Sequence, residues 1–239
     1  MLDGKKILVT GGTGAVGEAI VRKLATENAT VLFTFRKDRG KAEALSKETG
    51  ATAYQLDLLD NNAVKNMARD IDEKFGALDG LVNNAGMTRI VPFALMEEAD
   101  WDELMNANLK TMFLVTHALL RGMIRQKSGV IVNMGSIAGH RLLEVPVHYA
   151  TAKAGVTGFT ISLARELSRY NIRVNEIVPG MLNGGVGKMV PEPEMEQYLA
   201  YCQAHRPGET SEVAELVAFL LSDKSGYINA QSINIDGGI

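Results

Sequence analysis

Tyr149 and Lys153 stand four residues apart in Tyr149-Ala150-Thr151-Ala152-Lys153. On a helix that spacing stacks two side chains one turn apart on one face. A free phenol has a pKa of about 10 and is a poor proton donor or acceptor at neutral pH. An adjacent ammonium favours the phenolate, so Lys153 is expected to lower the pKa of Tyr149. The pair reads as an acid–base couple for a carbonyl and its alcohol. Ser136 follows the strand-like run 130–134 by way of Gly135. At the C-terminal edge of a parallel strand, its hydroxyl is placed to hydrogen-bond a reacting carbonyl oxygen. Alone, a Tyr-x-x-x-Lys on a helix is ordinary surface, and a serine after a strand is an ordinary turn residue. Their order, behind a glycine-rich turn, gives them chemical meaning.

That turn follows the apolar run 7–10. It reads Gly11-Gly12-Thr13-Gly14-Ala15-Val16-Gly17, holds G-x-G-x-x-G at Gly12, Gly14 and Gly17, and opens a helical pattern. In this setting the glycines allow a tight turn and close approach to a pyrophosphate, and the helix start offers free N–H groups. Gly11, Thr13, Gly14, Ala15 and Val16 are the expected contacts. An NAD site carries an acid after the second strand to hold the ribose hydroxyls. Here that place reads Thr34-Phe35-Arg36-Lys37. A guanidinium suits a 2′-phosphate, so Arg36 and Lys37 favour NADP(H). The alternative is two cations opening a solvated helix. Asp57, followed by Leu58 after the third strand, is placed for an adenine amino group or for a helix cap.

These residues need a scaffold that alternates strand and helix. Strands are predicted at 7–10, 31–35, 52–56, 78–82, 130–134, 172–178 and 232–236. Val16, Ile20, Val21 and Leu24 recur at helical spacing, as do Val64, Met67, Ala68, Ile71 and Phe75. Further helices are predicted over 38–49, 100–126, 149–170 and 211–222. In the helix over 100–126, Met105, Leu109, Met112 and Phe113 share one face. The pattern predicts a Rossmann-type, doubly wound α/β fold, a seven-stranded parallel sheet with helices on both faces. No linker or repeat interrupts it, so residues 1–239 read as a single domain. The stretch 181–210 holds Pro191, Pro193, Pro207 and Gly184-Gly185, carries weak strand and helix signals, and reads as a lid.

Composition excludes other classes. The net charge of −3 leaves no basic excess for nucleic-acid phosphates. No apolar run approaches the roughly 20 residues of a membrane span, and no signal peptide is read. The one cysteine, Cys202, allows no intramolecular disulfide and reads as inert. A cytoplasmic location is expected. His117, His140, His148 and His205 lack metal-ligand spacing, so no metal is expected. His140 and His148 flank the catalytic segment and are candidates for the substrate pocket.

Together these motifs resemble the single-domain branch of the short-chain dehydrogenase/reductase family over essentially the whole chain. Tyr149-x-x-x-Lys153 carries the resemblance, with Asn83-Asn84-Ala85-Gly86, Pro179-Gly180 and the closing Ile235-Asp236-Gly237-Gly238. It implies a catalytic tetrad of Asn108, Ser136, Tyr149 and Lys153. Asn108 would hold a water in a proton relay to Lys153, and Lys153 would also bond the nicotinamide ribose. It implies cofactor contacts from Asn84, Ala85, Gly86, Pro179, Gly180 and Leu182. Residues 150–159, 163–166 and 212–223 are similar to the 3-oxoacyl-acyl-carrier-protein reductases. That similarity implies NADPH-dependent reduction of a ketone, the 3-oxo group of an acyl thioester, with an acyl carrier protein as partner. It also implies a homotetramer built by pairing long helices. The other readings are an alcohol dehydrogenase for a cyclic alcohol, sterol or sugar, and a non-catalytic NADP-binding sensor.

The chain departs from this pattern in places. Ala15 stands where the branch has glycine. Met181-Leu182-Asn183-Gly184-Gly185 lacks the threonine that grips the nicotinamide amide, which leaves Asn183 or backbone amides for that contact. The segment 140–148 is bulkier and more apolar than in the carrier-protein reductases. Glu192, Glu194 and Glu196 in the lid oppose an acidic carrier protein. Arg121, Arg125, Lys127 and Arg169 form either a basic patch for one or a solvated helix end.

Overall fold

Side chains alternate across a strand, so a strand buried on both faces feeds two cores. The computed structural model describes residues 1–141, 143–185, 187 and 190–239. Its strands are β1 (Lys6–Val9), β2 (Thr30–Phe35), β3 (Thr52–Gln55), β4 (Gly80–Asn83), β5 (Gly129–Met134), β6 (Ile172–Pro179) and β7 (Ser232–Ile235). All pair in parallel, in the order β3-β2-β1-β4-β5-β6-β7. On one face, Ile7 and Val9 pack with Val21 and Leu24 of α1 (Ala15–Thr26), Leu45 of α2 (Arg39–Thr49) and Val217 of α8 (Thr210–Leu221). On the other, Leu8, Leu81 and Ile131 pack with α3 (Asn61–Phe75), α5 (Thr111–Gln126) and α6 (Val147–Leu167), through Ile71, Val115 and Leu167. From β1 the chain runs outward to β2 and β3, then crosses back to β4. That reversal opens a crevice beyond the C-terminal ends of β1 and β4, where such sheets bind ligands.

Buried amides fix the helices above this crevice. Asn83 Nδ2 donates to Asn133 Oδ1, its register partner, and to Thr116 Oγ1 of α5, each at 2.9 Å. Asn133 Nδ2 donates to Thr160 Oγ1 of α6 at 2.9 Å. Asn83 thus turns into the sheet, and only the residues after it reach the ligand side.

Two predicted segments differ from the structure. The helix expected over 100–126 is α4 (Glu98–Met105), a π turn at Asn106–Lys110, and then α5. The extra residue in that turn rotates the apolar stripe. Leu104 and Met112 are buried, and Phe113 is 51% exposed. The predicted lid contains a helix, α7 (Glu192–Tyr201), begun by Pro191 at its cap and Pro193 in its first turn, where proline is tolerated. Leu142 of the segment 140–148, and residues 186, 188 and 189 of the predicted lid, lie outside the described residues. No described helix is long and apolar enough to cross a membrane.

Leu32 of β2 is fully buried against the α3 side of the sheet. Leu32→Ala is expected to cost about 2–5 kcal/mol. Urea unfolding would show this as a lower midpoint with an unchanged slope.

Candidate active site

A cleft of about 1000 Å³ opens over the C-terminal ends of the central strands. Its first wall is the turn after β1. Gly11 sits at φ +68°, and the place of a Cβ on Gly17 is taken by the Gly11 carbonyl oxygen. Neither position tolerates a side chain without a shift. Thr10 Oγ1 accepts from the Asn84 and Ala85 amides at 2.9 Å each, and Asn84 Nδ2 donates to Thr10 O at 2.9 Å. Asn84 lines the cleft, but its side-chain NH₂ clamps the end of β4 to the glycine turn.

This wall is built for an anion. Asp38 caps α2 through the Lys41 amide, and Asp60 caps α3 through the Asn62 and Ala63 amides. No side chain caps α1 at Gly14. The opening turn of α1, with Ala15 and Val16, lines the cleft beside Gly11, Thr13 and Gly14. Uncapped amides at a helix start fit a pyrophosphate. Arg36 and Lys37 line the same wall beyond β2. Their neighbours Asp38 and Arg39 pair with Lys41 and Glu43, and neither Arg36 nor Lys37 makes an ion pair among the described residues. Asp57 and Leu58 complete the wall. Asp57 Oδ1 accepts from the Leu59 amide at 2.9 Å, while the helix cap falls to Asp60.

The second wall brings Asn108, Ser136, Tyr149 and Lys153 into the same cleft. Asn108 occupies the π turn, a backbone form often kept at functional sites. Its Nδ2 donates to Met87 O at 2.9 Å and Leu104 O at 3.0 Å, and its buried Oδ1 has no partner. Ser136 follows β5 and caps one 3-10 turn, Ile137–Gly139, by accepting from the Ala138 amide at 3.2 Å. A Cβ on Gly139 would lie 2.5 Å from the Ala154 amide, so this turn rests directly on the backbone of α6. Lys153 is buried, and its Nζ donates to Met134 O at 2.9 Å. Gly86 leaves open the space beside Asn108 and Lys153. A Cβ there would meet Asn108 Oδ1 at 2.6 Å and Lys153 Nζ at 3.8 Å.

Burial pushes the Lys153 amine down to about 8, and the Glu176 carboxylate opposes that fall. Burial pushes the Tyr149 phenol up, and a hydrogen bond with Ser136 opposes that rise. Lys153 Nζ lies 5.8 Å from the Tyr149 ring centroid. The Tyr149 phenol therefore stands above its ordinary value rather than below it as expected, because desolvation dominates.

Other expectations are also corrected. Neither His140 nor His148 lines the cleft. His148 is fully buried, its Nδ1 accepts from the Tyr149 amide at 2.9 Å, and burial pushes its pKa down. His140 Nε2 stands 3.0 Å from Thr157 Oγ1 and 3.7 Å from Glu176 Oε1. Asn183 Nδ2 donates to Glu209 at 3.2 Å, outside the cleft, whereas Pro179, Gly180 and Leu182 line it. Of the basic patch, Arg125 is bonded to Asp72 at 2.8 Å. Sequence reasoning missed Glu176, whose signal was a carboxylate inside an apolar parallel strand. It also missed Tyr198 of α7. That hydroxyl accepts from the Met181 amide at 3.0 Å and donates to Asp236 O at 3.3 Å, tying α7 to the end of the chain. The substrate end is walled by Leu143, Glu144, Val145 and Pro146 on one side and by Met181, Val190, Glu194 and Tyr201 on the other. Among the described residues no group of three or more His, Cys, Asp or Glu is arranged to hold a metal ion.

A family model described as Enoyl-(Acyl carrier protein) reductase matches residues 12–239. The chain is 37% identical over 242 residues to the 3-oxoacyl-(acyl-carrier-protein) reductase FabG of Thermotoga maritima, covering 100% of this chain and 98% of that one. It is 35% identical over 240 residues to the protein of the same name from Haemophilus influenzae, covering 100% and 99%. Among solved structures it is similar to levodione reductase, with a TM-score of 0.92 and 32% identity over 99% of this chain and 98% of that one. It is likewise similar to gox2181, with a TM-score of 0.93 and 30% identity over 99% and 95%.

The fold disfavours a charged Lys153. That penalty is full below pH about 8 and fades as pH rises toward the ordinary value of 10.5. Between about pH 8 and pH 10.5 the wild type is expected to gain about 1–2 kcal/mol relative to Lys153→Met in parallel urea melts.

Proposed function

This chain belongs to the short-chain dehydrogenase/reductase family, and on that premise we propose that it is an NADPH-dependent ketoreductase acting on the 3-oxo group of an acyl thioester. One observation carries this reading. Ser136, Tyr149 and Lys153 line the same cleft as an uncapped helix start and the unpaired cations Arg36 and Lys37. Two hydroxyl donors beside a buried amine suit a carbonyl oxygen. The names of the relatives at 35–37% identity support the 3-oxoacyl substrate.

The chemistry that a bound nicotinamide supplies is hydride donation. Gly11, Thr13, Gly14, Ala15 and Val16 would hold its pyrophosphate, and Arg36 and Lys37 the 2′-phosphate. Asp57 and Leu58 would hold the adenine, and Asn84, Ala85, Gly86, Pro179, Gly180 and Leu182 the nicotinamide half. Ser136 donates a hydrogen bond to the carbonyl oxygen, and Tyr149 delivers its proton there as negative charge develops. The raised phenol pKa keeps Tyr149 protonated at neutral pH, the form that reduction requires. The Lys153 ammonium stabilises the phenolate left behind. The unpartnered Oδ1 of Asn108 accepts from a water that returns the proton by way of Lys153.

Residues 1–239 act as one domain, with 181–210 as the lid, in the cytoplasm. Phe113 of α5 and Val147 and Ile161 of α6 are about half exposed and form the face through which the long helices pair into a homotetramer. A second reading, a free ketone without a carrier protein, is favoured by the substrate end. Leu143, Val145 and Pro146 make it apolar, while Glu144 and Glu194 repel an acidic carrier.

With an acetoacetyl thioester, NADPH oxidation is expected to exceed NADH oxidation by at least about tenfold in kcat/KM. Arg36→Asp should reverse that preference. Tyr149→Phe should lower kcat by about 10²–10⁴ and leave NADPH affinity unchanged. Turnover of free ketones alone would favour the second reading. Tight NADPH binding with no turnover of any ketone would sink both.

A further inference from the structure

The reduction leaves Glu176 without a role. It is the fifth residue of β6 and is fully buried, on the same side of the sheet as Val174 and Val178. A carboxylate at such a place is costly unless it is bonded or paired. Oε2 accepts from Thr157 Oγ1 of α6 at 2.9 Å and from Ser232 Oγ of β7 at 2.5 Å. Oε1 has no hydrogen-bond partner, and His140 Nε2 stands 3.7 Å away. A Cβ on Gly135 would overlap Oε1, so the carboxylate fills the space beside that residue. Lys153 Nζ donates to the carbonyl of Met134, one residue earlier in the same strand end. Thr157 follows Lys153 by four residues, one turn along the same face of α6. Carboxylate and amine therefore meet the end of β5 at adjacent residues, immediately before Ser136.

We propose that Glu176 is a positioning residue for the reduction: its carboxylate is the buried counter-charge that keeps Lys153 an ammonium beside Tyr149. It touches neither substrate nor cofactor and acts through Lys153. Burial pulls the Lys153 amine down, and Glu176 is the charge that pulls it back. Among the described residues, the titratable groups facing the carboxylate are Lys153 from α6 and His140 from the turn after β5; β7 faces it with the uncharged Ser232. At alkaline pH a histidine carries no charge, which leaves the field of Glu176 to Lys153. A permanent cation at position 140 would divert that field.

The test reads the charge on Lys153 without substrate or cofactor. Competitive labelling of the folded protein with acetic anhydride, from about pH 6 to pH 10, gives the Lys153 midpoint by peptide mass spectrometry. Glu176→Gln is expected to move that midpoint down by about one unit from its value of about 8. Glu176→Asp, which keeps the charge, should restore most of the shift. His140→Arg lies on a partly exposed turn and should lower the midpoint in the same direction by pairing with Oε1. It decides the matter if Glu176→Gln fails to fold. The alkaline limb of kcat/KM should move with the midpoint in each variant. An unmoved midpoint in Glu176→Gln, or in His140→Arg where the former does not fold, overturns the proposal. This measurement rests on the ketoreductase reading only for its rates. An absence of acetoacetyl turnover in the wild type with the labelling shift intact counts against that reading and for Glu176 as the counter-charge of Lys153.

Discussion

A lysine amine enclosed at the end of a parallel sheet gives up most of its hydration, and Lys153 recovers one hydrogen bond, to Met134 O at 2.9 Å. That bond holds α6 against the end of β5. The groups proposed to react are arranged around it. Tyr149 lies one helical turn before the amine, and Ser136 lies two residues past the carbonyl that receives it. Asn108 faces it across Gly86. Burial brings the amine down to about 8. A site assembled around a desolvated charge of this kind gives up stability for function.

Directional bonds set the height of the helices above the sheet. Apolar packing holds α5 and α6 against β4 and β5, but it is non-directional and tolerates sliding. The chain Thr116–Asn83–Asn133–Thr160 does not, because each amide hydrogen points to one acceptor. Thr10 and Asn84 perform the same service for the glycine turn. The π turn between α4 and α5 carries Asn108 and buries it. Precision at the reacting atoms comes from these few polar contacts inside two otherwise apolar layers.

The two walls of the cleft are made of different material. The wall beside the glycine turn is largely backbone: a left-handed glycine, uncapped amides and a clamped strand end. Backbone geometry survives most side-chain change. The far end of the cleft is side chains on two connecting segments, 143–146 and the stretch around α7. Such segments vary freely while the sheet stays constant. Reaction class is accordingly better specified by this molecule than substrate identity.

Much of this was open to reading from residue order. The strands, the glycine turn, the cations after β2 and the Tyr149–Lys153 spacing are local, since strand period, helix period and turn chemistry act within a few residues. The residues so chosen do share one cleft. Other features had no local sign. The π turn breaks a stripe that read as one helix, and α7 lay hidden among prolines. The direction of the Tyr149 shift depends on how far burial desolvates the phenol. His140, in the turn after β5, faces Glu176, 36 positions away on β6, and Glu176 meets Ser232 a further 56 on. Desolvation and long-range pairing sum over elements far apart in the chain, so only their packing decides which charges are buried and which partners they find.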